Sequence, residues 1–277
     1  MNPTDYEYLS NFLRATSGLW LGENKGYLLE DRLEPLAQSW GLDGIPQFVQ
    51  ELKKKADDNR LSGAVTEAMT TNETLFFRDK DPFEELKEWL LPEIISNRAT
   101  SRRLKIWCTA ASTGQEPYSI AMLLLEHFPE LKDWNVEILA TDISSAALAR
   151  AGSGIYSQFE IQRGLPVQLL MKYFAQCDTG WQIHEDLRQQ IRWQEMNMLN
   201  NFSNCGRFDI IFCRNILIYF EIETKKTSSI ESTPNCFPTD TCCCRNRSGH
   251  HQLVRTVYAV QHRHLQADMR CHGLATC

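Results

Sequence analysis

Over the first 70 positions, apolar residues recur at helical spacing. Leu9, Phe12 and Leu13 share one face. Leu28, Leu29, Leu33 and Leu36 form a second stripe that ends near Gly41. Ile45, Phe48, Val49 and Leu52 form a third, behind Asp43-Gly44 and Pro46, and Val65, Ala68 and Met69 begin a fourth. No stretch alternates as a half-buried strand does, so the pattern predicts a small all-helical domain over residues 1–80. Asp81-Pro82 opens a further helix through Phe83, Leu86, Leu90 and Leu91, which Pro92 is expected to end.

From Leu104 the pattern changes to short apolar runs separated by helical stretches. Strands are expected at 104–108, 136–141 and 208–213, with helices at 116–127 and 144–151. Such alternation points to a parallel sheet covered by helices on both faces. Residues 152–196 break the rhythm. A helical piece near Leu169–Phe174 is followed by the alternating pieces WQIHEDL and QQIRWQEM, which predict a small inserted β-rich subdomain.

The run LKIWCTAASTGQEPY, residues 104–118, is strand, small-residue loop and helix start, with Pro117 in the first turn. That unit brings a nucleotide-like ligand against backbone amides at a helix N-terminus. VEILATD then ends a second strand on Asp142, where an acid can bind the ribose hydroxyls of an adenosine cofactor. Gly114 is the only glycine of the loop, so G-x-G-x-x-G is absent and a nicotinamide dehydrogenase is disfavoured.

Composition narrows the classes further. The 277 residues are 43% hydrophobic with a formal charge of −6, which argues against broad nucleic-acid binding. No apolar run approaches the roughly 18–20 residues of a membrane span. The opening MNPTDYEYLS has no signal pattern, so a cytoplasmic protein without membrane insertion is expected. The ten cysteines are unevenly spread: six fall after residue 225, with five of the seven histidines and none of the seven tryptophans. That tail lacks both periodicities. Its Cys and His residues also lack the paired spacing of a zinc site, so no metal is expected.

Five pieces, in order, resemble the CheR-type chemotaxis receptor methyltransferases: MTTNETLFFRD (69–79), STGQEPYSIAM (112–122), ILATDIS (138–144), GIYSQFEIQRGLP (154–166) and FDIIFCRNILIYF (208–220). The resemblance covers roughly residues 1–224. It implies an α/β fold: a helical N-terminal domain (1–80), then a Rossmann-like S-adenosylmethionine-dependent methyltransferase domain (81–227) carrying the inserted β-subdomain (152–196). It implies methyl transfer from S-adenosylmethionine to glutamates of methyl-accepting chemotaxis receptors, in sensory adaptation, by a monomer.

By the same resemblance, Asn72, Thr74 and Arg78 line the cofactor and substrate pocket. Glu116 and Asp142 lie near the amino-acid and adenosine portions of the cofactor. Asn197 and Met198 flank the adenine, and Arg214, Asn215 and Tyr219 stand at the mouth of the site. Arg78 and Tyr219 are the candidate catalytic residues. Plainer readings stay open beside these: a linker salt bridge for Arg78, a helix cap for Asp142, a first-turn acid favouring the helix dipole for Glu116, and core packing for Tyr219.

Three departures matter. After EIETKK the likeness stops, and 228–277 reads as an aberrant, disordered tail produced by a reading-frame change near codons 226–228. Its loss of two strands would leave the 208–213 strand with an open edge, and a non-catalytic cofactor- or receptor-binding relative is the competing reading. The basic docking helix of the family is mixed here, with Lys25 and Arg32 set among Glu30, Asp31 and Glu34. Finally, QCDTGWQIHEDL (176–187) is short where peptide-tethered members carry a loop extension, so recognition independent of a receptor C-terminal peptide is expected.

Overall fold

A computed structural model describes residues 1–22, 25–55, 59–200, 202, 205–216 and 219–220, and the backbone of two strands at 236–244 and 253–254. The helical N-terminal region consists of α1 (Pro3–Ser17), α2 (Gly26–Ser39), α3 (Gly44–Lys54) and α4 (Asn59–Met69). The Asn2 side chain caps α1 by accepting the Asp5 amide at 2.8 Å. Gly18, at φ 74°, closes the other end. The expected stripes meet in one core that includes Leu9, Leu13, Leu29, Leu33, Phe48, Leu52 and Val65.

The helix expected to end at Pro92 continues instead. α5 (Lys80–Glu85) passes through a π-helical turn at Leu86–Leu90 into α6 (Leu91–Arg98), with Pro92 in its first turn. The wider turn, in which the Leu91 amide reaches back to the Leu86 carbonyl, accommodates a ring that has no N–H and would crowd the preceding turn of an α-helix.

The sheet is built on β1 (Arg103–Cys108), β2 (Asn135–Asp142), β6 (Ile191–Glu195) and β7 (Phe208–Cys213), in the parallel order β6-β2-β1-β7. α7 (Gln115–His127) links β1 to β2 by way of a short 3-10 turn, and α8 (Ser145–Ser153) follows β2. Both faces are covered. Leu104, Ile106 and Cys108 enter one core; Trp107 enters the other with Leu139, Phe202, Phe208 and Ile211. This is why the β1 and β7 segments are mostly apolar on both sides, with charged residues only in their first halves.

The inserted subdomain has a three-stranded antiparallel sheet in the order β3-β5-β4, from β3 (Ile155–Tyr156), β4 (Phe174–Cys177) and β5 (Gly180–Ile183). Its helices are α9 (Gln158–Gln162), α10 (Val167–Tyr173) and α11 (Glu185–Arg188). The piece QQIRWQEM does not belong to it. Ile191–Glu195 is β6, the edge of the main sheet, and an edge strand half open to solvent alternates as a small antiparallel sheet does.

Two pieces of the 228–277 segment correct the expectation of a structureless tail and an open β7 edge. β8 (Cys236–Cys244) runs parallel to β7, and β9 (Leu253–Val254) pairs antiparallel with β8. A buried strand presents a row of unpaired N–H and C=O groups, which β8 takes up. The register slips between Phe208 and Ile210, opposite the stretch that holds Pro238, whose nitrogen has no hydrogen to donate. The remainder of 228–277, and the helix expected from EIETKK, lie outside the described residues.

Candidate active site

The carboxyl ends of β1, β2 and β7 open toward the helical domain, and a cavity lies at that seam. All the sequence-nominated residues line it: Asn72, Thr74, Arg78, Glu116, Asp142, Asn197, Met198, Arg214, Asn215 and Tyr219. Ligands bind at the carboxyl ends of strands in open parallel sheets for the same topological reason.

The loop after β1 is folded tightly. Ser112 adopts φ 51° and Gly114 φ 95°. A Cβ on Gly114 would stand 2.9 Å from the Ala151 side chain and 3.0 Å from both Trp193 and the Tyr156 hydroxyl, so only glycine fits that turn. The Tyr156 hydroxyl donates to the Thr113 carbonyl at 2.7 Å, which braces the loop from the inserted subdomain.

Asp142 fastens this loop to its own. Its carboxylate accepts the Ser112 amide at 2.7 Å and the Ser144 amide at 2.9 Å. The cap of α8 is Ser144, whose Oγ accepts the Ala147 amide, so Asp142 is not itself the cap. Burial pushes the Asp142 carboxyl up, and the backbone amides of Ser144, Ser112 and Ile143 pull it part of the way back. A carboxylate has about four lone-pair sites, so an added donor can still be accepted.

Glu116 and Arg214 form a buried pair, Nη1 to Oε2 at 2.7 Å. Arg214 Nη2 also donates to the Arg78 carbonyl at 2.6 Å and lies 3.2 Å from an Asp79 oxygen. Burial raises the Glu116 carboxyl, opposed by the charges of Arg214 and Arg78. Arg78 gives Nη1 to the Glu73 carbonyl at 2.9 Å, one of its five donors.

The helical domain is joined to the pocket loops at several points. The Asn197 amide donates to the Thr16 carbonyl, the Trp20 amide to the Tyr219 carbonyl at 2.8 Å, and the Ser144 hydroxyl to Glu67. Ser112 Oγ donates to the Asn72 carbonyl at 3.0 Å. Sequence reasoning did not single out Glu67, Ser112 or Ser144. Arg32, one of the two basic residues of the mixed-charge stretch, is used internally: its guanidinium donates to the Met69 carbonyl at 2.7 Å and to Thr71 Oγ1 at 3.0 Å. The carbonyls at the end of α4 attract that cation. Among the described residues, no group of three His, Cys, Asp or Glu could hold a metal ion.

A helical cap over a parallel sheet, with acids at β2 and at the α7 N-terminus facing one cavity, defines a Rossmann-like enzyme for an adenosine-bearing cofactor. The family described as "CheR methyltransferase, SAM binding domain" matches residues 72–231, and "CheR methyltransferase, all-alpha domain" matches 4–70. The chain belongs to the CheR methyltransferase family, and its cofactor is S-adenosylmethionine. It is 40% identical over 227 residues to chemotaxis protein methyltransferase 1 of Pseudomonas aeruginosa, covering 80% of this chain and 81% of that one. It is 39% identical over 226 residues to the chemotaxis protein methyltransferase of Vibrio parahaemolyticus, covering 80% of each. Among solved structures, the glycopeptide N-methyltransferase MtfA with sinefungin aligns at 12% identity and TM-score 0.34, over 61% of this chain and 53% of that one.

The residues present fit this cofactor. Arg214 is 5% exposed, and its Nε has no hydrogen-bond partner, which leaves a buried donor beside an acid. A zwitterionic amino-acid group meets both needs. Met198, 3% exposed, adds an apolar wall.

Proposed function

We propose that this chain methylates the γ-carboxylates of glutamates on methyl-accepting chemotaxis receptors, acting as a monomer in the cytoplasm. The convergence of Arg78, Tyr219, Glu116 and Asp142 on one cavity between the two matched domains carries this reading. No described helix is long and apolar enough to cross a membrane.

When bound, the cofactor supplies an electrophilic sulfonium methyl. Glu116 and Arg214 hold its amino-acid end, Asp142 its ribose, and Asn197 and Met198 flank the adenine. Asn72, Thr74 and Asn215 complete the wall. The acceptor carboxylate has a reference pKa of about 4.3, so it is already ionised at neutral pH and needs no general base. The protein's task is alignment, which can contribute several kcal/mol or more. Arg78 holds the carboxylate through its forked donors, and Tyr219 orients the attacking oxygen.

The decisive assay is transfer of labelled methyl from S-adenosylmethionine to receptor-containing membranes, read as base-labile methanol release. Arg78→Ala is expected to lower turnover far more than affinity for S-adenosylhomocysteine. A wild-type chain that binds S-adenosylhomocysteine without transferring methyl would overturn the catalytic reading.

A further inference from the structure

The backbone that presents Arg78 is bent twice. Phe77 and Asp79, on either side of it, adopt φ values of 49° and 56°. Glycine would take both without strain; a side-chain-bearing residue stays there only when its surroundings hold it.

Two clamps do so. Ser119, wholly buried on α7, accepts the Phe77 amide on its Oγ at 2.9 Å and spends its own proton on the Gln115 carbonyl at 2.6 Å. On the other side, Arg214 Nη2 grips the Arg78 carbonyl at 2.6 Å, and the Asp79 carboxylate lies 3.2 Å from the same nitrogen. Beneath the loop, Phe76 packs edge-on against Tyr156 and Phe174. Neither Ser119 nor Asp79 is among the residues that line the cofactor cavity. Both clamps tie the loop to the cofactor elements, α7 and the residue after β7.

We propose that Ser119 and Asp79 are positioning residues for methyl transfer, fixing the kinked backbone so that the Arg78 side chain meets the acceptor carboxylate. The proposal rests on the reading of Arg78 given above. It accounts for two strained non-glycine residues beside one cation, and for a wholly buried serine hydroxyl on α7 that receives the Phe77 amide.

The test compares wild type, Arg78→Ala, Ser119→Ala, Asp79→Asn and Ser119→Thr in the labelled-methyl assay, with calorimetry of S-adenosylhomocysteine and peptide hydrogen exchange across residues 74–82. Ser119→Ala and Asp79→Asn should lower kcat roughly tenfold to a hundredfold. Affinity for S-adenosylhomocysteine should stay within about threefold. Exchange of the Phe77 amide should quicken in both. Ser119→Thr, which keeps the hydroxyl, should recover rate and protection. Ser119→Ala should add little in the Arg78→Ala background. A crippled Arg78→Ala beside fully active Ser119→Ala and Asp79→Asn refutes this proposal alone, as does a parallel loss of cofactor affinity and kcat. An inert wild type or a fully active Arg78→Ala refutes the reading of Arg78, and the proposal with it.

Discussion

Replacing Arg214 by methionine should expose how much the buried pair beneath the site matters. Arg214 is 5% exposed, and its guanidinium meets Glu116, the Arg78 carbonyl and Asp79. Methionine fills similar space but leaves the Glu116 carboxylate buried without its cation. Breaking a buried pair from one side typically costs roughly 3–5 kcal/mol. That is a large share of the roughly 5–15 kcal/mol by which domains are stable. At about 2–4 °C per kcal/mol, the melting temperature should fall roughly 6–20 °C near neutral pH.

The deficit should also depend on pH, and its sign follows from Glu116. Burial already raises that carboxyl in the folded state, and Arg214 is the first group opposing the rise, so its loss raises the carboxyl further. A group with a raised folded pKa contributes stability that is present below its unfolded value and lost as pH rises through its folded value. The variant's deficit should therefore be smallest near the unfolded carboxylate value of about 4.3 and widen toward neutrality. Adding Glu116→Gln should recover much of the loss. Thermal melts of the three proteins across pH measure this. An equal deficit in acid and at neutrality, or no recovery in the double variant, would refute the charge argument.

Three further outcomes are expected. Asp209 is 2% exposed and accepts Arg98 Nε at 2.9 Å and the Lys105 amide at 2.8 Å; Asp209→Ala should cost roughly 3–5 kcal/mol in urea unfolding. Arg98→Ala should cost a comparable amount, because it leaves the buried Asp209 carboxylate without its cation while the Arg98 side chain itself is 24% exposed. The β4–β5 turn is only Asp178-Thr179, since Cys177 pairs with Gly180; a receptor C-terminal pentapeptide should show no micromolar binding by calorimetry, and measurable binding would end the claim of peptide-independent recognition. The family match stops at residue 231, close to the composition break; resequencing codons 220–235 should reveal a frame change, and a confirmed frame together with a cooperative melt and full methyl transfer would refute that origin for the tail.

The helical domain and the strand–loop–helix core were legible because their signals are local. A stripe such as Ile45, Phe48, Val49 and Leu52 needs only one helix to bury it, and all four are buried. The pocket residues were legible through ordered motifs. What escaped is set by distant partners. Nothing near Pro92 announces that a π-turn will absorb it. The alternation of Ile191–Glu195 gives its exposure but not its neighbour β2. Arg32 looks like a surface charge until the end of α4 stands beside it. Glu67 reaches Ser144 across 77 residues, and Phe77 reaches Ser119 across 42. Only the serine left a trace, as the one small polar residue within the largely apolar run PYSIAMLLL.

The joints between the domains bear on the proposed chemistry. Attack of a carboxylate on a sulfonium methyl brings opposite charges together and cancels them, so the transition state is less charged than the reactants. Water solvates the separated ions best and therefore opposes the reaction; a site that sheds water removes that opposition. The contacts at Thr16, Trp20, Glu67 and Asn72 all fall on the pocket loops, and Leu19 bridges to Phe220 above β7. The helical domain is thus a wall of the cavity. The same logic limits Arg78. A cation that bound the acceptor too strongly would favour the ionised ground state over the neutralising transition state. On the proposed reading, sharing the guanidinium with the Glu73 carbonyl, on a backbone held from both sides, would let Arg78 align the carboxylate without trapping it.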